Sequence, residues 1–275
     1  MSPRRAVLPG FGLSFGTTLL YASLFLLLPL AALTARAFSL DPATLVRAVS
    51  DPRTLAAFRV SFVCAAIAAA LNTLLGLVTA WVLERYEFPG RRFLDALIDL
   101  PFAIPTAVAG ITLAALYGPN GAIGAPLLSL GIRVAYTEAG IVIALLFVTL
   151  PFAVRTIQPV VQGLDREVEA AAHSLGASSW TTFTKVVLPE LRPALVTGFA
   201  LAFARAIGEY GSIIFIAGNL PMDTEIAPLL IMIRLEQFDY PGAIAISIAY
   251  LVAGIALLLF VHWSHARQMR PLEQR

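Results

Sequence analysis

Residues 167–191 read EVEAAAHSLGASSWTTFTKVVLPEL and contain two helix-forming parts separated by a glycine. The first part, 166–175, is rich in alanine and glutamate, and Gly176 follows it where a left-handed residue commonly ends a helix. Ser178 or the serine after it can cap a second helix, and Pro189 suits the first turn of a longer one. We therefore predict a rigid helix–turn–helix that leads directly into the apolar sequence beyond it.

The rest of the chain is apolar. Of its 275 residues 59% are hydrophobic and 13% are charged, whereas soluble domains carry about 25% charged residues. The mean hydropathy of +0.83 predicts an all-α integral membrane protein that is surrounded by lipid. A dispersed net charge of +2 excludes nucleic acid as a partner, and the single cysteine, Cys64, excludes a disulfide framework and a cysteine-based metal site.

Six apolar runs are long enough to be spans, because a helix needs about 20 residues to cross roughly 30 Å of hydrocarbon. We place them at about 13–35, 58–83, 97–117, 139–157, 194–217 and 242–262. The first run is longer than the apolar region of a secretory signal, which is about 7–15 residues. The sequence thus predicts one multi-pass transmembrane domain over residues 1–275.

The basic residues orient these spans. Twelve Lys and Arg residues fall on the side that holds both termini, and six fall on the other side. The twelve are Arg4, Arg5, Arg85, Arg91, Arg92, Arg155, Arg166, Lys185, Arg192, Arg267, Arg270 and Arg275. Because the richer side is cytoplasmic by the positive-inside rule, both termini and the loop at about 158–193 are expected inside.

Prolines indicate local structure outside this loop. The pairs Asp41–Pro42 and Asp51–Pro52 predict a short outer helix followed by the start of the second span. Pro101 and Pro105 are expected to bend the third span, and Pro151 the fourth. Bent spans suit helices that move against each other, although proline is also common in membrane helices of other kinds.

The segment 167–191 resembles the EAA loop of permease subunits of ATP-binding-cassette importers, in which Glu-Ala-Ala precedes a glycine, an aliphatic residue and Leu-Pro. Gly176 matches that glycine, and the aliphatic and Leu-Pro positions follow at the family's distances. The family's glutamate position holds Ala170, and Glu169 stands one residue earlier. The resemblance implies that the residues coupled to the ATPase are Glu169, Ala170, Ala171, Ala172, Gly176, Ala177, Val186, Leu188 and Pro189.

Four further stretches extend the resemblance over nearly the whole chain. They are VLPGFGLS (7–14), LPFAIPTAVAG (100–110), RAIGEYGSIIFIAGNLP (205–221) and TEIAPLLIMIRLEQFDYPGA (224–243), and they are similar to the T-type sulfate/thiosulfate permease family. The W-type and molybdate permeases share the Gly-Glu-aromatic-Gly core but differ after Gly218–Asn219. The resemblance implies a type I importer (MetI-like) fold with six transmembrane helices in the bacterial inner (plasma) membrane.

The resemblance also implies partners. They are two ATPase subunits that bind ATP and Mg, a second permease of the W type, and a periplasmic sulfate-binding protein. The only lysine, Lys185, is not in a phosphate-binding G-x-x-x-x-G-K-[ST] loop, so this chain is expected to hold no cofactor and no ATPase site of its own. His173, His262 and His265 make no catalytic constellation, and we predict no metal site.

Other functions stay open from the residues alone. A molybdate or tungstate importer is the nearest alternative to a sulfate importer. A secondary anion carrier needs titratable groups inside the membrane, and Asp99 and Glu209 are the acidic residues well inside or near spans. A haem-bearing redox subunit needs histidines in mid-span, where this chain has none.

Arg205 and Glu209 are charges within the predicted fifth span. An arginine at a helix centre costs about 2.5–3.5 kcal/mol, so both groups are expected to face protein or water. Their spacing places them on one helical face, which also carries Gly198, Ala202, Gly208 and Ser212. Two interpretations stay open: a salt bridge that fixes the span against a neighbour, or a translocation path formed by Arg205, Gly208, Glu209 and Ser212.

Overall fold

A computed structural model describes residues 11–269, with side chains at every position of that range except 262 and 264–269. Every regular element in this range is a helix. The elements are α1 (Phe11–Phe38), α2 (Pro42–Ser50), α3 (Pro52–Arg85), α4 (Arg91–Ile98), α5 (Leu100–Ala103), α6 (Thr106–Tyr117), α7 (Gly124–Ser129), α8 (Glu138–Gln162), α9 (Arg166–Ser174), α10 (Ser179–Ile207), α11 (Ile213–Ile216), α12 (Ala227–Glu236) and α13 (Tyr240–Met269).

Five of the described helices are long and apolar enough to cross a membrane, namely α1, α3, α8, α10 and residues Tyr240–Val261 of α13. They correspond to the first, second, fourth, fifth and sixth predicted spans. The predicted outer helix and span start are also found, since α2 begins at Pro42 and α3 at Pro52, where the Asp51 side chain accepts a hydrogen bond from the Arg53 N–H. The cytoplasmic location of both termini stays a prediction.

The third predicted span, 97–117, is wrong as a single helix. The chain there forms α4, α5 and α6, and the longest of them, α6, has 12 residues. Ile104 and Pro105 are extended, with ψ of 128° and 132°, because a proline disfavours helical geometry in the residue before it and has no N–H to donate. The two prolines therefore break this segment, whereas α8 continues as one helix through Pro151.

The fifth predicted span, 194–217, is also wrong in its bounds. Helix α10 begins at Ser179, because the second helix of the coupling loop runs into the span without a break, through a π-helical turn at Phe183–Val187. It ends at Ile207, and residues 208–212 are not helical. The chain resumes helical geometry only in the four residues of α11.

The core lies between α3, α8 and α10, and small side chains let these helices approach closely. Ala65, Ala68, Ala144 and Ala202 are fully buried in it. A Cβ on Gly76 of α3 would lie 3.1 Å from the Ala153 Cβ of α8. The buried Asn72 of α3 donates to the Leu146 carbonyl at 2.9 Å and to Thr149 Oγ1 at 2.8 Å, which fixes α3 against α8.

Helix α1 lies apart from this core. No residue between Phe11 and Leu27 is buried, and in the rest of α1 only Ala37 is. Its second half contacts α13. The first span is thus held to the chain at one end only.

Candidate functional site

The helix–turn–helix that is predicted to face the cytoplasm forms as the sequence predicts. The Asp165 side chain caps α9 by accepting from the Glu167 N–H at 2.8 Å. After α9, Gly176 adopts φ of 84°, and its N–H donates to the His173 carbonyl at 2.9 Å. The next N–H, of Ala177, donates back to an earlier carbonyl of α9 at 3.1 Å. The turn therefore depends on a residue that tolerates left-handed geometry.

Helix α10 starts immediately after this turn. Ser178 Oγ accepts from the Thr181 N–H at 3.2 Å, which confirms the predicted cap. Pro189 lies within α10, just after its π-helical turn, so the cap and the span belong to one continuous helix. The turn is therefore joined to the span with no loop between them.

The segment exposes apolar surface that the sequence interpretation did not single out. Leu175 is 89% exposed and Trp180 is 73% exposed, on either side of the turn at Gly176. Of the predicted coupling residues, Ala170, Ala171 and Gly176 are exposed, while Ala172, Ala177, Val186, Leu188 and Pro189 are half-buried. The sequence did carry a signal for this surface, because Leu175 and Trp180 are large apolar side chains in a loop that is predicted to face the cytoplasm.

Glu169 points into the chain instead of away from it. One of its carboxylate oxygens lies 2.6 Å from Nη2 of Arg85, the last residue of α3. The Arg85 side chain is only 10% exposed, and its guanidinium lies over the Trp81 ring, 5.1 Å from the ring centroid. That ring meets Phe183 of α10 edge-on. Glu169 thus joins α9 to α3, a contact between residues 84 positions apart that one sequence does not reveal.

At the other end of α10, Glu209 is buried and fully paired. Its Oε2 lies 2.6 Å from Arg205 Nη1, and its Oε1 accepts from the Ser212 N–H at 2.9 Å and from Ser212 Oγ at 3.0 Å. The Glu209 side chain is 3% exposed, while that of Arg205 is 31% exposed. The carboxylate therefore caps the chain after α10, and the Arg205 side chain stays partly exposed.

The predicted helical face is only partly correct. Gly198 and Ala202 lie buried on α10, but Glu209 and Ser212 lie beyond its end, because the helix stops before Gly208. Gly208 is exposed and Ser212 is buried. The ion pair of Arg205 and Glu209 forms nonetheless.

Helix α6 packs directly on this break. A Cβ on Gly110 would collide with the Ser212 carbonyl oxygen, and one on Gly211 would collide with Thr106 Oγ1. The cavity beside Glu209 has a volume of only about 10 Å³, which is room for about one water molecule. This chain alone therefore does not enclose an oxyanion at Glu209.

A second buried carboxylate lies near the start of α12. Glu225, whose side chain is 0% exposed, receives two hydrogen bonds from Arg53 of α3, from Nε at 2.7 Å and Nη2 at 2.6 Å. Beside it the Ala227 N–H donates to Ser61 Oγ of α3 at 2.8 Å. The start of α12 is thus fixed to α3 by two contacts.

The remaining acidic candidate, Asp99, is paired as well. It accepts from Arg155 Nε at 2.9 Å and Nη2 at 2.6 Å, and Asp95 binds the same guanidinium. Among the described side chains, no three His, Cys, Asp or Glu residues are grouped as metal ligands would be. The side chains of His262 and His265 lie outside the described residues.

The turn at Gly176 provides a first test. Gly176→Val is expected to lower transport at least tenfold, because left-handed geometry costs a β-branched residue of the order of 1–2 kcal/mol and the turn would rearrange. The measurement is solute uptake into vesicles that contain the importer complex that the resemblance implies.

Gly176→Asn is the matched control, since asparagine tolerates the same geometry, and it is expected to retain uptake near that of the wild type. Membrane insertion is expected to be unchanged in both variants. Equal uptake in the valine variant and the wild type would mean that the turn is not required.

Comparisons with known proteins agree with this architecture. The family described as "Binding-protein-dependent transport system inner membrane component" matches residues 72–270. The sulfate transport system permease protein CysT of Escherichia coli (strain K12) is 50% identical over 263 residues, which cover 96% of this chain and 95% of that protein. The probable sulfate transport system permease protein cysT of Nephroselmis olivacea is 50% identical over 259 residues, covering 94% and 91%.

Two solved structures are similar in fold. The crystal structure of a bacterial ABC transporter involved in the import of the acidic polysaccharide alginate has a TM-score of 0.76 at 15% identity, covering 91% of this chain and 93% of that chain. A bacterial alginate ABC transporter in complex with an alginate pentasaccharide-bound periplasmic protein has a TM-score of 0.74 at 16% identity, covering 90% and 91%. At such low identity these likenesses show the fold alone.

Proposed function

Because this chain belongs to the family of binding-protein-dependent transport system inner membrane components, we propose that it is the T-type membrane subunit of an ATP-driven importer of sulfate and thiosulfate. The observation that carries this proposal is the 50% identity to a sulfate permease over 96% of the chain. The helical type I importer fold and five apolar spans agree with an inner-membrane location.

The inner helix–turn–helix supports a docking role toward two ATPase subunits, which bind the ATP and Mg. Leu175 and Trp180 offer apolar surface beside a turn that is rigidly attached to α10. We assign the contact to Ala170, Ala171, Gly176 and their neighbours, with Val186, Leu188 and Pro189 holding the segment on the span. This chain supplies no ATPase site, in keeping with the lack of a phosphate-binding lysine loop in its sequence.

A second permease, of the W type, is needed to enclose the path. The small volume of the cavity beside Glu209 and the partial exposure of the Arg205 side chain support this, because this chain alone does not enclose an anion there. A periplasmic sulfate-binding protein delivers the anion from outside. That a similar fold is solved with a bound periplasmic protein supports such an arrangement.

Arg205 and Glu209 are assigned to the translocation path with Gly208 and Ser212. A guanidinium has five N–H donors, and only Nη1 of Arg205 is used by Glu209. The remaining donors suit a tetrahedral dianion, and their charge offsets part of its desolvation cost. Glu209 withdraws part of that positive charge, so that the anion is released instead of retained.

Uptake of labelled sulfate tests the substrate. Cells that lack this gene are expected to lose most binding-protein-dependent sulfate uptake, and restoring the gene is expected to recover it. In the wild type, excess unlabelled thiosulfate should compete and molybdate should not; the three anions carry the same charge, so charge alone cannot separate them.

The two importer assignments give opposite results. Unimpaired sulfate uptake together with lost molybdate or tungstate uptake would establish the alternative importer. Loss of sulfate uptake that persists after the gene is restored would show that the deletion acted on another component.

A further inference from the structure

The inner end of α3 is held firmly to the coupling segment. Arg85 is bound by Glu169 of α9, and its guanidinium rests on Trp81, which in turn packs on Phe183 of α10. The side chains of Arg85 and Glu169 are 10% and 24% exposed. Separating them would leave a largely buried charge without a partner, so α9 and the end of α3 are expected to move together.

The outer end of α3 is held to a different segment. The fully buried Glu225 receives both hydrogen bonds of the Arg53 fork, in the planar geometry that makes such pairs directional. Asp51, at the start of α3, lies 3.2 Å from Arg234 of α12. The loop before α12 and α12 itself are therefore joined to α3 over its first turn.

Between these ends α3 is one uninterrupted helix. Its 34 residues contain a single proline, Pro52, at the first helical position, and sharp kinks in helices arise chiefly at internal prolines and bulges. Asn72 fixes the middle of the helix to α8. A displacement at Arg85 is thus passed along the helix instead of being absorbed by it.

We infer that α3 is the strut that carries the movement of the coupling helix α9 to the outer segment 220–236. The Glu169–Arg85 pair is its inner joint and the Arg53–Glu225 pair its outer joint. Glu169 therefore acts as a positioning residue through Arg85, and not through direct contact with an ATPase. This inference rests on the proposed importer function.

The test uses the complete complex, with ATPase subunits, second permease and sulfate-binding protein, in proteoliposomes. Glu169→Gln is nearly isosteric and removes the charge alone. It is expected to lower the sulfate imported per ATP hydrolysed about tenfold, within the usual range of coupling between sites. Glu167→Gln is the matched control, because Glu167 is on the same helix, is exposed and makes no ion pair among the described residues. The sulfate imported per ATP by the Glu167→Gln complex is expected to equal that of the wild type.

A charge exchange separates the strut from direct contact. The double variant Glu169→Arg with Arg85→Glu restores the ion pair with its charges exchanged. It is expected to recover much of the wild-type sulfate import per ATP. A Glu169 that worked by touching the ATPase would not be rescued by a change at Arg85.

An optical label gives a second readout at the far end. Leu220 is 53% exposed in the outer loop, so a fluorophore on Leu220→Cys, in a Cys64→Ala background, reports on that segment. ATP is expected to change its emission in the wild type and not in Glu169→Gln. This readout tests whether α3 carries the movement even if the double variant does not assemble.

The outcomes are distinguishable from those of the proposed function. If the wild-type complex imports no sulfate, the function is wrong. If it imports sulfate while Glu169→Gln keeps both the ratio and the ATP-dependent emission change, α3 is not the strut.

Discussion

Arg205→Ala is expected to lower sulfate uptake by about 10- to 100-fold, because hydrogen bonds to charged groups contribute about 1.5–3 kcal/mol each. The Arg205 side chain is 31% exposed and engages Glu209 through Nη1, which leaves other guanidinium donors for the anion. Glu209 keeps its two bonds from Ser212 but loses its charge partner, so a loss of stability is expected beside the loss of uptake. Uptake into vesicles, normalised to assembled complex, is the measurement.

Arg192→Ala is the matched control, since Arg192 is an exposed arginine near the other end of the span, and its uptake is expected to be unchanged. The double variant Arg205→Ala with Glu209→Ala should not restore uptake. A double variant close to wild type would show that the pair is only structural. A second experiment places a cysteine at the exposed Gly208 in a Cys64→Ala background. If this cysteine never reacts with aqueous thiol reagents during turnover, the pair is likewise only structural.

Arg53→Ala is expected to destabilise the folded protein by about 3–5 kcal/mol, the usual cost of leaving one partner of a buried ion pair alone. Its partner Glu225 is 0% exposed, so water cannot replace the lost guanidinium. Glu225→Gln should cost less, because the Arg53 side chain is 31% exposed and keeps part of its hydration. Unfolding of the purified protein in detergent measures both effects.

The paired change Arg53→Ala with Glu225→Leu is expected to recover most of this stability, because it leaves no buried charge. Arg133→Ala removes an exposed arginine predicted to lie on the same side of the membrane, and it should change the stability by less than about 0.5 kcal/mol. If Arg53→Ala is as stable as Arg133→Ala, the pair does not hold α12.

Local signals in the sequence were sufficient for the coupling turn. Gly176 and Ser178 act within a few residues, through backbone geometry or a cap, and the structure places both as predicted, whereas Pro189 lies inside α10 and not in its first turn. The Arg205–Glu209 pair was accessible for the same reason, since the two residues are four positions apart. The residues assigned to docking and to the path stay predictions.

The errors have two physical causes. Hydropathy counts apolar side chains and does not register where the backbone leaves the helix, as it does at Pro105 and after Ile207. At the break after Ile207, the sequence signals were Gly208 and Glu209, whose side chain caps the following turn. The pairs of Arg85 and Arg53 join residues 84 and 172 positions apart, and only the folded chain brings them together.

Helix α3 is also much longer than a bilayer requires. Its 34 residues extend about 51 Å at 1.5 Å per residue, whereas the hydrocarbon layer is about 30 Å thick. Arg53 and Arg85 stand near its two ends, so both are expected near the lipid headgroups, on opposite faces of the bilayer. Because α3 packs between α8 and α10, these neighbours set its tilt, and a change of lipid thickness is expected to act on the two ends of α3, where its ion pairs lie.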